Sequence, residues 1–231
     1  MKVRSAYLAA ALVTAAVMVS PASAQQTDWS KRVTQSPMGG HIIGNPLAKN
    51  RLVEYVSYTC SHCADFEVAS SGPLKSGYIA KGHVSAEVRN YVRDAVDFTA
   101  AMLARCGGRT KFFGNHHALM ASQDSWLKTV MSTSPEVQKT WYQGETIDRL
   151  KKIATDVGFY PIMAKRGITK AQANVCLADK DAQDKILAMT KYGAETVKIT
   201  GTPSFTINDK LLDKVHSWPS LQPALAALPS K

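Results

Sequence analysis

The clearest hydrophobic pattern in the chain is the run from Leu52 to Tyr58, which only Glu54 and Ser57 interrupt. A short run that is apolar at odd and even positions alike is typical of a strand buried on both faces of a sheet. Directly after it come Thr-Cys-Ser-His-Cys at 59–63 and then a helical pattern that carries Phe66 and Leu74. The pattern therefore predicts a central strand that passes through a short loop into a helix.

Shorter patterns surround this unit. Gly72-Pro73 lies inside the helical pattern, and we expect a kink or break there because proline lacks an amide donor and crowds the preceding turn. The range 84–92 begins with apolar and polar residues in alternation, which predicts a strand. Turn signals flank 41–43, which predicts a short extended piece, and 29–35 predicts a first short strand.

From Asp94 to Leu177 the hydrophobic period becomes helical. Phe98, Met102 and Cys106 are spaced four residues apart, and Gly107-Gly108 ends their helix. Further helices are predicted over Lys111 to Ser122, Pro135 to Tyr142, Thr146 to Val157 and Thr169 to Leu177. Because short loops favour antiparallel packing of neighbouring helices, we expect residues 94–177 to form a helical subdomain.

The last part of the chain returns to a mixed pattern. A long helix over about 181–196 precedes two extended pieces, 204–207 and 210–212, which form a predicted hairpin turning at Asn208-Asp209. A final helix begins near Trp218 and presents leucines on one face. The order of strands, helix, strand, a run of helices, hairpin and helix predicts an α/β protein.

The first residues follow a different pattern. A basic start (Met1–Arg4), an apolar stretch from Tyr7 to Val19 and small residues at 22–24 are typical of a secretory signal peptide, with cleavage expected before Gln25. The apolar stretch is too short to favour the alternative, a membrane anchor. Four cysteines in an exported chain indicate an oxidising compartment. The size favours a bacterial periplasm, and eukaryotic secretion stays open.

Composition adds little about partners. A hydrophobic fraction of 45% over 231 residues is enough for a real core. The chain carries 28 Lys and Arg against 18 Asp and Glu, a formal net charge of +10. This excess would attract acidic partners or a membrane surface. Since no basic run is interleaved with aromatic residues, nucleic-acid binding is not predicted.

The candidate chemistry is concentrated in Cys60 and Cys63. A helix N-terminus offers unpaired N–H groups and a partial positive charge, and both favour a thiolate over a thiol. Protonated His62 would add a favourable charge beside Cys60. We therefore expect Cys60 to be an exposed nucleophile of low pKa. Cys63 faces inward and closes a disulfide on Cys60 or resolves a mixed one.

Other interpretations of this pair fit less well. A zinc site would need two further ligands at tight spacing, and the remaining cysteines are far away in sequence. Haem attachment would need histidine where Ala64 stands. A purely structural disulfide would close too short a loop to constrain the unfolded chain. His116-His117 is interpreted as solvated, so we expect no metal site and no cofactor.

Glu54 is the exception within the apolar strand. One interpretation places it at a sheet edge, paired with a cation. The other places it beneath the cysteines, buried and with a raised pKa, where it would relay a proton to or from Cys63. The sequence leaves both open.

These residues make the chain resemble the thioredoxin superfamily, and more closely its DsbA-like branch of periplasmic thiol oxidoreductases. The resemblance covers nearly all of the mature chain. It rests on 60–63 after an apolar strand, on the helical insertion and on Gly-Thr-Pro-Ser-Phe at 201–205. It implies a signal peptide at 1–24, a thioredoxin-fold domain made of 25–93 and 178–231, and an inserted helical subdomain at 94–177.

The resemblance also assigns residues near the cysteines. The family proline that matches Pro203 is cis and lies against the cysteine pair, and backbone groups of Thr202 would then pair with a bound substrate strand. Glu54 matches the position of the buried acid of the family. His62 matches the histidine of the oxidase dipeptide. Ser61, which would also face the substrate, departs from the commoner proline, so the strength of oxidation stays open.

The resemblance further suggests a role for Cys106 and Cys176, because some DsbA-like proteins carry a second bridge. Both lie at apolar positions late in the first and last helices of the insertion. In an oxidising compartment we expect a structural disulfide between them. It would close a loop of about 70 residues and stabilise the protein by up to ~4 kcal/mol. The alternative is two separate buried thiols.

The function implied is that of a monomeric thiol:disulfide oxidase. It would donate the Cys60–Cys63 disulfide to reduced secreted polypeptides and be reoxidised by a DsbB-like membrane quinone reductase. An isomerase or reductase of the same compartment is the first alternative. Thr202 favours it weakly, whereas residues 25–50 are too few for an N-terminal dimerisation domain. A metal chaperone using the cysteines and His62 is the alternative from a different class.

Overall fold

The structure, a computed structural model, describes residues 27–229. The predicted signal peptide, residues 1–24, lies outside this range. Within residues 27–229, no helix combines the length and the apolar character that crossing a bilayer requires.

A mixed sheet forms the centre of the fold. Its strands are β1 (Val33–Gln35), β2 (His41–Ile43), β3 (Asn50–Val56), β4 (Val84–Asn90), β5 (Ser204–Ile207) and β6 (Lys210–Leu211). Their order in the described chain is β1-β2-β4-β3-β5-β6. β3 lies between β4, to which it is parallel, and β5, to which it is antiparallel. The predicted central strand is therefore central in space, which explains its apolar residues on both faces.

Helices connect and cover the strands. They are α1 (Ser61–Leu74), α2 (Ala95–Ala104), α3 (Phe112–Ala121), α4 (Gln123–Ser132), α5 (Pro135–Thr140), α6 (Thr146–Asp156), α7 (Phe159–Lys165), α8 (Lys170–Leu177), α9 (Lys180–Tyr192) and α10 (Trp218–Ala226). α1 joins the parallel strands β3 and β4, and α2 to α8 follow β4 without a strand between them. The predicted α/β class with a helical insertion is confirmed.

Two helical regions differ from the sequence predictions. α1 does not end at Gly72-Pro73 but runs to Leu74 and continues as a π-helical stretch, Lys75–Ile79, in which a wider turn follows the proline. No helix was predicted between Val157 and Thr169, yet α7 lies there, with Pro161 as its third residue. In the first turn of a helix an amide N–H has no intrahelical partner, so proline is tolerated there.

α4 was also missed by the sequence prediction. Its ten residues are mostly polar, and only Gln123 and Trp126 are buried. Trp126 packs edge-on against Phe159 of α7, with 5.2 Å between ring centroids. Burial of one large aromatic side chain therefore anchors α4, a contact that sequence periodicity does not reveal.

Two apolar clusters meet at α1. One fills the helical insertion and reaches Tyr58, Cys60 and Cys63. The other lies between α1, α10 and the sheet, and includes Phe66 and Phe205, whose ring centroids are 4.7 Å apart. Each buried side chain of this size contributes about 1.5–3 kcal/mol. The N-terminus of α1 is thus held where insertion and sheet join.

Candidate active site

The two cysteines of the motif lie where β3 passes into α1. Cys60 is the N-cap residue of α1, with extended backbone angles of φ −96° and ψ 117°. Its carbonyl accepts the amide N–H groups of Cys63 (3.1 Å) and Ala64 (3.3 Å), which closes the first helical turn. Cys63 lies one turn further on, fully buried, and both thiols are free. The loop therefore brings the predicted pair together at the helix start.

The surroundings of Cys60 favour a sulfur anion. A hydrogen bond from the Cys63 thiol, with smaller contributions from Thr202, the Cys63 amide and the Arg93 charge, lowers the pKa of Cys60 to about 4 against the opposing effect of burial. The cation involved is Arg93, which sequence analysis missed. The His62 side chain is exposed and forms no hydrogen bond with any described residue. The helix start and its neighbours, more than His62, thus favour the thiolate.

Cys60 is less accessible than predicted. The prediction that Cys60 is exposed is wrong, since only 6% of the surface of this residue is exposed. The loop before β5 lies against it, and the Cys60 thiol donates to the Thr202 carbonyl at 3.1 Å. Attack on its sulfur is therefore restricted to a narrow approach, whereas neighbouring Ser61 is exposed.

The covering loop contains the Thr202–Pro203 peptide bond, which is cis. Pro203 is buried, and its carbonyl is 2.8 Å from Nδ1 of His216. The Thr202 hydroxyl is buried and has no hydrogen-bond partner among residues 27–229, so it remains available to a sulfur anion. The structure therefore places both residues beside the cysteine pair, as the resemblance implies.

Glu54 is buried, not at an edge. It lies on β3 between Val88 of β4 and Phe205 of β5, and 6% of its surface is exposed. Its Oε1 has no partner among residues 27–229, and the edge ion pair is therefore wrong. Burial raises the pKa of Glu54 well above its usual value, and the charge of Glu67 acts in the same direction.

Cys63 is coupled to this acid. Burial raises the pKa of Cys63 well above that of a free thiol, and the negative charges of Cys60 and Glu54 add to the effect. The same turn therefore holds two thiols of opposite character. Cys60 is stable as a thiolate, and Cys63 stays protonated.

A cavity of about 400 Å³ reaches Glu54 from the side of α1 and α3. Its walls are mostly apolar, with Phe66 of α1, Phe113 of α3 and Val88 of the sheet among them. Glu67 and His117 also line it. The cavity therefore joins the buried acid to Glu67 and to half-exposed His117.

The loop between β3 and α1 is held by acids at the start of the insertion. Buried Asp97 accepts hydrogen bonds from the Ser57 hydroxyl (2.6 Å) and the Tyr58 amide (2.7 Å). Asp94 accepts one from the Thr59 hydroxyl at 2.7 Å. Burial raises the pKa of Asp97 to about 7 although these hydrogen bonds oppose the shift. Sequence analysis did not identify these positioning residues.

Gln123 holds the same loop from the other side. This residue begins α4, is 1% exposed, and donates from Nε2 to the carbonyls of Tyr58 (2.6 Å) and Cys60 (2.8 Å). A buried carbonyl without a partner is costly, so Gln123 fixes both carbonyls in place. It lies 63 residues from Cys60 along the chain, and no local signal identifies it.

The prediction that His116-His117 is solvated is wrong for His116, which is 1% exposed. Its Nδ1 shares a hydrogen bond of 2.8 Å with the Tyr58 hydroxyl, and its Nε2 lies 3.4 Å from Glu67. His117 is half exposed and lies 2.9 Å from the other oxygen of Glu67. No cluster of three or more His, Cys, Asp or Glu in the described part of the chain is arranged to hold a metal ion.

The second pair of cysteines is joined. A disulfide links Cys106, at the end of α2, to Cys176 in α8, across a separation of 70 residues. Cys106 belongs to the apolar cluster of the insertion. The bridge therefore connects the first and last helices of the insertion, away from the free pair.

Comparison with known proteins adds family information. The family model described as thioredoxin matches residues 36–227, most of the chain. A protein-disulfide isomerase from Novosphingobium aromaticivorans is 40% identical, with a TM-score of 0.78, over 81% of this chain and 96% of that protein. Alpha-DsbA1 of Wolbachia pipientis is 24% identical with a TM-score of 0.62, over 82% and 90% of the two chains, a likeness of fold alone.

Curated relatives match over a shorter part of their length. A protein of Rickettsia bellii, described as a candidate protein-disulfide oxidoreductase, is 27% identical over 168 residues. The match covers 72% of this chain and 56% of that protein, so the chain spans about half the length of such relatives. The predicted thioredoxin fold with an inserted helical subdomain is confirmed by the family and structural matches.

Proposed function

Since this chain belongs to the thioredoxin family, we propose that it is a DsbA-like thiol:disulfide oxidoreductase that donates the Cys60–Cys63 disulfide to reduced secreted polypeptides. The observation that carries the proposal is the Cys60 sulfur at the start of α1, whose pKa is lowered to about 4. A thiol that is stable as an anion is also a good leaving group in disulfide exchange.

The reaction begins with the oxidised pair. A substrate thiolate attacks the Cys60 sulfur, the Cys60–Cys63 bond breaks, and Cys63 leaves with the electron pair. A second thiolate of the substrate then attacks the substrate sulfur of the mixed disulfide and releases Cys60 as a thiolate. Two substrate thiols become one disulfide, and the cysteine pair takes up the two electrons.

Glu54 supplies the proton that the first step requires. Cys63 leaves as a thiolate in a fully buried position, where its raised pKa makes that anion unstable. Glu54, whose pKa is raised by burial, holds a proton more readily than a free carboxyl group and reaches the cavity beside α1, through which it can be reprotonated. It therefore acts as a general acid for Cys63 and as a base in the reverse direction.

Substrate binding uses the loop before β5. The Thr202 backbone lies next to Cys60 and presents groups to which an extended peptide can add as a strand. Exposed Ser61 contacts the same peptide. Because Pro203 carries no amide N–H, no donor from this position competes for the sulfur atoms.

The direction of exchange follows from Cys60. Its depressed pKa stabilises the reduced protein. This stabilisation is complete above the pKa of an unperturbed thiol, becomes smaller as the pH falls, and is lost as the pH falls through about 4. The oxidised protein lacks this contribution because it has no thiolate. At neutral pH the balance therefore favours reduction of the pair, which means oxidation of the substrate.

The remaining assignments belong to the same proposal. The chain acts as a monomer in the periplasm after removal of residues 1–24, and residues 94–177 form a helical subdomain inserted into the thioredoxin-fold domain of 25–93 and 178–231. A DsbB-like membrane quinone reductase reoxidises the pair. Export is supported by the disulfide between Cys106 and Cys176, because such bridges persist in oxidising compartments.

An isomerase is the second candidate function. It is favoured by the 40% identical relative, which is described as a protein-disulfide isomerase. An isomerase must keep its pair reduced to attack incorrect disulfides. Recovery of activity from a scrambled substrate, measured beside oxidation of the reduced substrate by an equal amount of protein, separates the two functions.

The decisive test is alkylation of the reduced protein as a function of pH, followed by peptide mapping. Reaction at Cys60 is expected to rise with a midpoint near pH 4, whereas Cys63 stays unreactive through neutral pH. The oxidised protein should then convert a peptide dithiol to its disulfide. An ordinary thiol midpoint at Cys60 would refute the oxidase.

A further inference from the structure

We propose that a groove beside Cys60 binds a lysine or arginine side chain of the substrate polypeptide and so gives the enzyme a preference for cysteines in basic segments. This inference rests on the oxidoreductase function proposed above and names its substrate class. We call this space the acidic groove. It lies between α1 and the α3–α4 corner and is lined by Ser61, Ala64, Asp65, Val68, Gln123 and Asp124 among others.

The position of the acidic groove fits a substrate contact. Ser61, the residue directly after Cys60, lines the groove, whose volume is about 240 Å³. It extends along α1 towards Val68, on the side of the insertion. A polypeptide joined to Cys60 by a mixed disulfide therefore passes its entrance, and a neighbouring side chain can enter it.

The charge of the groove is opposite to that of the protein. Asp65 on α1 and Asp124 on α4 face it from two helices, and both are exposed. Neither forms an ion pair within residues 27–229. Two carboxylates without an ion pair, in a chain of net charge +10, make this groove a local site for a cation.

Gln123, a buried residue that lines the acidic groove, has an acceptor without a partner. Gln123 is 1% exposed, and its Nε2 is occupied by the carbonyls of Tyr58 and Cys60. This fixes the amide group, and Oε1 is left without a hydrogen-bond partner among residues 27–229. An ammonium or guanidinium group that enters the groove supplies the missing donor.

The walls complete the match to a long basic side chain. Ala64, Val68 and Met120 contribute apolar surface to the same groove. Lysine and arginine pack their aliphatic stems on such surface while the charged head reaches a polar group. A short or acidic side chain gains neither contact, so the structure favours a basic residue close to the substrate cysteine.

The experiment uses peptide dithiols that differ at one position. Lysine, norleucine or glutamate is placed in turn at each of the three positions on either side of the attacked cysteine, and kcat/KM for oxidation by the whole protein is measured at low and at high salt. Norleucine has the stem of lysine without its charge. At one or more positions lysine should exceed norleucine by about three- to tenfold at low salt, and glutamate should fall below both.

The variant D65N/D124N is the matched test, because a lysine also changes the intrinsic reactivity of a nearby thiol. In this variant the lysine-to-norleucine ratio should fall by about three- to tenfold. In the control Asp184→Asn, an exposed acid of α9 outside the groove, the ratio should stay as in the parent.

The outcomes distinguish the two proposals. If the lysine-to-norleucine ratio of kcat/KM is the same in the parent and in D65N/D124N at every position, and all peptides are oxidised, the groove proposal is wrong and the oxidoreductase function is still supported. If norleucine is favoured as strongly as lysine, the space is an apolar subsite and the cation proposal is wrong. If no peptide is oxidised, the function itself fails.

Discussion

The two pairs of cysteines are built from the same side chain and behave differently. Cys60 and Cys63 are three residues apart at a helix start, free, and surrounded by donors that favour an anion. Cys106 and Cys176 are 70 residues apart, joined, and Cys106 is packed into an apolar cluster. Under the proposed function, neighbours and loop length, not the sulfur atom, decide whether a disulfide exchanges or persists.

Loop length acts through the unfolded chain. A bridge over 70 residues removes much more conformational freedom from the unfolded state than one that closes a single turn. The short pair therefore contributes little to folding stability, and its opening and closing do not endanger the fold. The long pair contributes to stability and has no stabilised thiolate to release.

The largest expected effect is on the reactive side of this comparison. Cys60→Ser should lower oxidation of a peptide dithiol by about a thousandfold or more, because serine cannot form the mixed disulfide. The control C106S/C176S should stay within about threefold of the parent. Substantial turnover by Cys60→Ser would mean that the pairs have been assigned the wrong roles.

Removing the other pair tests the structural side. C106S/C176S should lose up to ~4 kcal/mol of free energy of unfolding, measured by urea denaturation with the Cys60–Cys63 pair in the same redox state as in the parent. Cys63→Ser, compared with the reduced parent, should change it far less. Equal midpoints for C106S/C176S and the parent would contradict a tethering role.

Glu54→Gln sharpens the contrast between the two thiols of the reactive pair. Glutamine keeps the shape of Glu54 but cannot supply a proton to Cys63, so kcat for peptide oxidation should fall about ten- to a hundredfold with little change in KM. Glu136→Gln, an exposed acid of α5, serves as the control. An unchanged kcat across neutral pH would remove Glu54 from the mechanism.

The smallest effect concerns Arg93, whose charge is the last of the contributions that favour the Cys60 thiolate. Arg93→Gln should raise the pKa of Cys60, so the alkylation midpoint moves above pH 4 by less than about one pH unit. His62→Gln should move it less, because the His62 side chain is exposed and unbonded within the described residues. A larger shift for His62 would reverse this ranking.

Features with local causes were predicted well from the sequence. The motif at 60–63 follows from a strand that runs into a helix, and the hairpin turn at Asn208-Asp209 has positive φ at both residues, as a two-residue turn of this kind requires. Cys106 and Cys176 could be paired from their positions and the expected compartment. In each case the identity of a few neighbouring residues, or of two cysteines, is enough to predict the feature.

Features that depend on distant contacts were not predicted. Gln123 meets Cys60 across 63 residues and Asp97 meets Ser57 across 40, so neither has a local pattern. His116 looks solvated beside His117 until α3 packs it against Tyr58, 58 residues away. The exposure of Cys60 depends on Thr202, 142 residues away. All four features depend on packing between distant parts of the chain, which the hydrophobic periodicity of the sequence does not reveal.

The bonds from Gln123 and Asp97 to the loop ahead of α1 have a consequence for protein engineering. Someone who cuts out the helices between β4 and α9 to obtain a minimal redox scaffold would also remove the groups that hold the Tyr58 and Cys60 backbone. The shortened protein could keep its sheet and both cysteines and still lose the shape of its reactive turn. Any such miniature would need replacement donors and acceptors for those backbone atoms.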